Sequence, residues 1–214
     1  MSRGPLGSEE ARCWATFSLS IPPRALYYDV RLESLEAPPL PGLVSPRVTL
    51  HREGTPLHRA ASLRITAQGV APQYADKVYL ARWNRKRRRY DFYAQVERRG
   101  GQYEASVRNF GTYALMLDTV APVIDSATIA RVCGQDLPKA SCIEFTVSDR
   151  ETRMASVGGE MDRAWALWEW EPKENAVWHT LDTMRTTRGR EHELRFEATD
   201  AVGNRTELRC GFSW

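Results

Sequence analysis

Arg108-Asn109-Phe110-Gly111-Thr112-Tyr113-Ala114-Leu115-Met116-Leu117-Asp118-Thr119-Val120-Ala121-Pro122 decides how the chain is divided. Tyr113, Leu115 and Leu117 fall on one face and Thr112, Ala114 and Met116 on the other, which is the two-residue period of a β-strand. After Leu117 the pattern stops. Asp118-Thr119 is turn chemistry, and Pro122 removes a donor and biases Ala121 towards extended geometry. A strand therefore closes one domain, a short stiff linker follows, and Val123-Ile124 opens the next. The expected domains are 9–118 and 119–214, and a linker this short predicts a semi-rigid pair.

Both halves read as β throughout. In the first, Leu63 and Ile65 oppose Arg64 and Thr66, and Val78 and Leu80 oppose Tyr79 and Trp83. Tyr90, Phe92, Ala94 and Val96 alternate with Asp91, Tyr93, Gln95 and Glu97, and Tyr103, Ala105 and Val107 return after Gly100-Gly101. Ala25–Leu35 is a further extended run. In the second half Ile124–Cys133 is expected as a strand. Ile143, Phe145 and Val147 alternate with polar residues, as do Leu194, Phe196 and Ala198, and Thr206–Phe212 closes the chain. Gly158-Gly159 reads as a connection, and Trp165 and Leu167 share the parity expected of core residues. About seven or eight short strands in the first half and seven in the second, without a helical period, predict two tandem immunoglobulin-like β-sandwiches and an all-β fold.

Composition sets outer bounds. The 214 residues are 42% hydrophobic and 27% charged, with a net charge of +3. That balance suits a folded soluble chain and is too weakly basic to imply nucleic acid. No apolar run approaches the roughly 18 residues a membrane span needs, and Met1–Ser8 lacks the apolar centre of a signal peptide. Gly4-Pro5-Leu6-Gly7-Ser8 looks like the scar of an engineered protease site. Residues 1–8 are set aside on that account, and a longer parent protein is expected.

Cys13, Cys133, Cys142 and Cys210 permit disulfides without requiring them. Cys133 and Cys142 flank the loop 134–141 and are placed to face each other across a hairpin. The competing reading is that the cysteines are reduced and buried.

Asn109-Phe110-Gly111-Thr112-Tyr113 followed by Asp118-Thr119-Val120-Ala121-Pro122 resembles a junction in the C-terminal region of exported bacterial zinc endopeptidases of the lysostaphin or LytM type. Glu169-Trp170-Glu171-Pro172-Lys173, and His192-Glu193-Leu194 leading to Asp200-Ala201-Val202-Gly203-Asn204, are similar to the last module of that family. Gly54-Thr55-Pro56-Leu57 is similar to the first. Asp149-Arg150-Glu151-Thr152-Arg153 departs from it by lacking a Ser-Gly pair. The resemblance implies a tandem accessory region behind a peptidase that cuts peptidoglycan cross-links. It further implies export to the periplasm or cell envelope, with the upstream catalytic domain of the parent chain as partner. Peptidoglycan or another envelope protein is the further partner expected. Such a peptidase holds zinc with His-x-x-x-Asp and His-x-His. In this chain His51, His58, His179 and His192 include no pair two positions apart, and His179 lies three residues from Asp182. No cofactor, no metal site and no catalytic residue are expected within this segment.

Two clusters remain as binding candidates. Arg85-Lys86-Arg87-Arg88-Arg89 follows Trp83 at an expected hairpin tip, where cations stay hydrated and an anionic envelope polymer or partner can meet them. A solvated turn is the plainer account. Trp168, Trp170 and Trp178 offer rings for a glycan platform, against core packing as the plainer account. Asp149, Asp162, Asp182 and Asp200 suit turn capping better than calcium. The alternative function is a glycan- or protein-binding adhesin-type module, and a cryptic hydrolase is the third reading.

Overall fold

The computed structural model describes residues 10–13, 16–137 and 142–214. Residues 1–8, expected to be a protease-site scar, and part of the loop 134–141 lie outside the described residues. The chain separates into two compact units, Met1–Thr119 and Val120–Trp214, so the boundary falls one residue beyond the expected one. The described sheets are all antiparallel, and both units are β-sandwiches.

The first unit contains β1 (Glu10–Cys13), β2 (Phe17–Ile21), β3 (Ser34–Ala37), β4 (Arg47–Leu50), β5 (Pro56–Thr66), β6 (Val78–Asn84), β7 (Arg89–Gln95), β8 (Glu97–Arg99), β9 (Gln102–Asn109) and β10 (Gly111–Leu117). They form two five-stranded sheets, β1-β2-β5-β9-β8 and β3-β4-β10-β6-β7. Phe17, Leu19, Leu63, Ile65 and Val107 from the first sheet meet Val48, Leu50, Leu80, Tyr113 and Leu115 from the second. Tyr113 locks the corner leading into β10, its hydroxyl donating to the Asn109 carbonyl at 2.5 Å. That is the tyrosine-corner device of immunoglobulin-like sandwiches.

Two expectations fail here for local reasons. Of Ala25–Leu35 only the end is strand, because the Ala25 N–H closes a turn onto the Pro22 carbonyl and Arg24 takes a positive φ. The alternation across β7 also breaks. Leu80 pairs with Ala94 but Ala81 pairs with Phe92, so Tyr93 is the extra residue of a bulge. Phe92 meets Tyr79 at a tilt, with ring centroids 5.5 Å apart, while Tyr93, Ala94 and Val96 pack against the core. The Tyr93 hydroxyl then accepts the Arg108 N–H, and its ring meets Tyr113 edge-on.

The second unit contains β11 (Val123–Ile124), α1 (Ser126–Ala130), β12 (Cys142–Ser148), β13 (Met154–Met161), β14 (Ala164–Trp165), β15 (Glu169–Glu171), β16 (Ala176–Thr180), β17 (Glu191–Asp200) and β18 (Arg205–Ser213). Its sheets run β11-β12-β16-β15 and β14-β13-β17-β18. Lettered in chain order, that is the immunoglobulin arrangement ABED facing CFG, with one added edge strand. Ile143, Phe145, Val147 and Val177 face Leu194, Phe196 and Ala198.

The expected strand Ile124–Cys133 is instead a two-residue strand and a helical turn. Asp125 caps that turn, accepting the Ala127 and Thr128 N–H groups at 2.9 and 3.1 Å. Gly158-Gly159 does not connect elements but lies inside β13. Trp165 and Leu167 are 69% and 56% exposed, whereas Ala166 and Trp168 are 4% and 7% exposed. The parity expected for this stretch is reversed by one residue.

Candidate functional site: a cationic hairpin and its base

The β6–β7 hairpin is held by pairs at Trp83–Tyr90 and Asn84–Arg89. Asn84 organises the tip. Its carbonyl accepts the Arg88 N–H at 2.8 Å, and its side-chain oxygen accepts the N–H groups of Lys86 and Arg87 at 3.0 and 3.1 Å. Its amide donates to Asp91 at 2.8 Å. Arg88 takes a φ of 54°, which turns the chain back into β7. Five consecutive cations therefore stand on a turn whose backbone is fixed from inside.

Their charges are not equal. Asp91 pairs with Arg89 at 2.7 Å and Arg87 at 3.6 Å. Burial alone would raise the Asp91 carboxyl, but the Asn84 and Arg89 donors and the charges of Arg89 and Arg87 hold it below its ordinary value. Glu53 pairs with Arg85 at 3.3 Å and with Arg82 at 2.8 Å. Lys86 and Arg88 have no carboxylate partner among the described residues. Trp83 is half-buried against Tyr90, with ring centres 5.2 Å apart. The structure thus brings Trp83, Arg85, Lys86, Arg87, Arg88 and Arg89 together on one hairpin. A cleft of about 350 Å³ opens at its base, between Trp83, Arg85, Glu53 and Gly111.

The tryptophans of the second unit do not converge. Trp168 lies between Phe145 and Phe196, with centroids 5.8 and 4.7 Å away, and is core. Trp170 pairs with Val177 and packs on the same core. Trp178 points the other way, its indole N–H donating to Glu169 at 2.7 Å. A flat platform of Trp168, Trp170 and Trp178 is therefore not formed, since adjacent pairs in β15 and β16 face opposite sides of the sheet.

The expected Cys133–Cys142 bridge is also replaced. Cys133 is bonded to Cys210, with Cα atoms 5.4 Å apart, and Cys142 is free and exposed. The helical turn α1 sends the chain towards β18 rather than into a hairpin. The Gly134 N–H donates to the Gly211 carbonyl, and Asp136 bridges Ser213 in parallel, which sets Cys133 beside Cys210. The Cys13 side chain lies outside the described residues.

Three of the four aspartates cap their own turns; Asp162 instead ties β13 to β17. Asp149 accepts the Glu151 and Thr152 N–H groups, Asp182 accepts from Met184, and Asp200 accepts from Val202 and Asn204. Asp162 accepts the Glu193 N–H and lies 2.8 Å from both Arg190 and the fully buried ring of His192. Burial opposes ionisation of Asp162, yet these donors hold its carboxyl below the usual range. The other ring nitrogen of His192 lies 2.8 Å from the Thr187 carbonyl. Sequence reasoning overlooked this pair, although the alternation of Leu194, Phe196 and Ala198 already places His192 on the inward face.

A family model for the Zu5-like domain matches residues 11–118, which is half of the chain. The chain belongs to the Zu5-like domain family. The matched residues are those of the first sandwich, so the cationic hairpin and its cleft are features of the Zu5-like unit. Comparison with curated proteins gives no match.

Proposed function

We propose that the chain is a non-catalytic positioning region, with the cationic hairpin of the Zu5-like unit as its contact to an anionic envelope polymer. The observation that carries this reading is the pair Lys86 and Arg88, without a carboxylate partner among the described residues, on a turn whose backbone Asn84 fixes. The sequence resemblance supplies the context: an exported, peptidoglycan-endopeptidase-like parent whose catalytic domain this region would hold near its substrate. The Cys133–Cys210 bridge supports export, because disulfides persist in oxidising compartments. No helix among the described residues is long and apolar enough to cross a membrane. Positioning needs only modest affinity, since tethering raises the effective concentration of a linked domain.

Co-sedimentation with isolated peptidoglycan sacculi tests the reading. The chain pellets with sacculi at low salt, and pelleting falls as ionic strength rises, because exposed charges are screened. Lys86→Gln with Arg88→Gln reduces it about tenfold. Undiminished pelleting of that double variant would remove the hairpin from the account.

A further inference from the structure

Glu53 lines the cleft at the base of the hairpin, with one carboxylate oxygen on Arg82 and the other on Arg85. The clamp is lopsided: the Arg85 side chain is 80% exposed and that of Glu53 only 35% exposed. Arg82 is fixed independently by donating to the Phe110 carbonyl at 3.0 Å, so it stays in place whether or not Glu53 does. Gly111, at φ +149°, lets the guanidinium lie against the backbone, since a Cβ there would come within 3.0 Å of Arg82 Nε. Two nitrogens in this neighbourhood, Arg82 Nε and His51 Nδ1, are buried without a hydrogen-bond partner. Unsatisfied buried polar atoms are uncommon, and of the two residues His51 also lines the cleft. Behind them Trp83 and Thr112 wall a space of about 350 Å³, within the size range of small-ligand sites.

From this geometry we infer that the cleft is a carboxylate-binding subsite, in which a ligand carboxylate takes the place of Glu53 on Arg82 and Arg85 while its ring or side chain lies along Trp83. Glu53 is the internal competitor. It keeps the two guanidinium groups placed for a carboxylate, and its ion pair with the exposed Arg85 is weak enough to exchange. Paired arginines favour carboxylates over neutral oxygens because two N–H donors meet two acceptor oxygens. The inference deepens the positioning role by naming the chemistry that the hairpin would select. The carboxylate has two sources in an envelope polymer, a sugar acid or a peptide terminus.

Amide chemical shifts of the full chain distinguish them. The probes are N-acetylmuramic acid against N-acetylglucosamine, and N-acetyl-D-alanine against its amide. The subsite predicts saturable shifts at residues 51–54, 83–85 and 111–112 with at least one acid and none with its neutral counterpart; which acid binds tells the source. Glu53→Gln tightens that binding about two- to fivefold by removing the competitor. Arg85→Gln weakens it about five- to tenfold. Absence of shifts with both acids in Glu53→Gln, or equal shifts with acid and neutral probe, overturns the subsite. Sedimentation with sacculi that survives such a result leaves the cationic tip standing, so the two readings fail separately.

Discussion

At Gly159 there is no room for a methyl group. A Cβ would lie 2.2 Å from the Arg195 carbonyl oxygen and 2.7 Å from the indole nitrogen of Trp168. Gly159→Ala forces the backbone of β17 or the Trp168 ring to move. Such overpacking costs about 3 kcal/mol, read as a lowered midpoint for the second unit in denaturant. The glycine looked like a connector because a sequence shows a missing side chain but not the indole that fills its place. Tyr113 is the counterpart in the Zu5-like unit. Its ring is fully buried and its hydroxyl closes the turn at Asn109. Tyr113→Phe strands that carbonyl and costs about 1–2 kcal/mol, measurable by chemical denaturation.

At the scale of elements, alternation was readable wherever a strand keeps one face inward for its whole length. Leu63 with Ile65, Tyr103 with Val107, Ile143 with Val147 and Leu194 with Ala198 all lie where their periodicity puts them. It failed where something other than hydrophobic pattern sets the register. The bulge at Tyr93 moves one residue out of the count, and Asp125 supplies a cap that turns an apolar run into a helical turn. The segment between β14 and β15 passes from one sheet to the other and reverses the parity of Trp165 and Trp168. Cysteine pairing failed for the same reason: spacing along the chain says nothing of a segment that runs beside β18. Non-reducing peptide mapping is expected to recover Cys133 linked to Cys210, and a Cys133–Cys142 peptide would refute the arrangement. The bridge spans 77 residues, so replacing both cysteines by serine removes about 4–5 kcal/mol on a chain-entropy account. That loss appears as a lower unfolding temperature of the second unit. The basic run was legible as a hairpin tip, but Glu53 lies in the turn before β5 and Gly111 opens β10, so neither could be assigned to its base from sequence.

For the whole molecule, two separate cores predict two unfolding events with different chemical dependence. Burial raises the hydroxyls of Tyr113, Tyr90 and Tyr103, Tyr113 most of all. A raised folded value means that the stability of the Zu5-like unit is intact below the unfolded tyrosine value of about 10 and falls as pH climbs above it. In Tyr113→Phe that alkaline slope is shallower by one proton, about 1.4 kcal/mol per pH unit. The second unit responds at the acid end. The lowered folded value of Asp162 keeps its contribution present above the unfolded aspartate value and loses it as pH falls below about 4. Thermal melts between pH 3 and 11 check both directions.

The proposed role requires a chain that holds to the envelope and does not cut it. Intact sacculi incubated with the full chain, then separated by centrifugation and analysed by mass spectrometry for released muropeptides, measure both properties at once. The expected result is protein in the pellet, displaced by salt and by the Lys86→Gln, Arg88→Gln substitutions, with no fragments in the supernatant. Muropeptides released by the chain and suppressed by a metal chelator would contradict it.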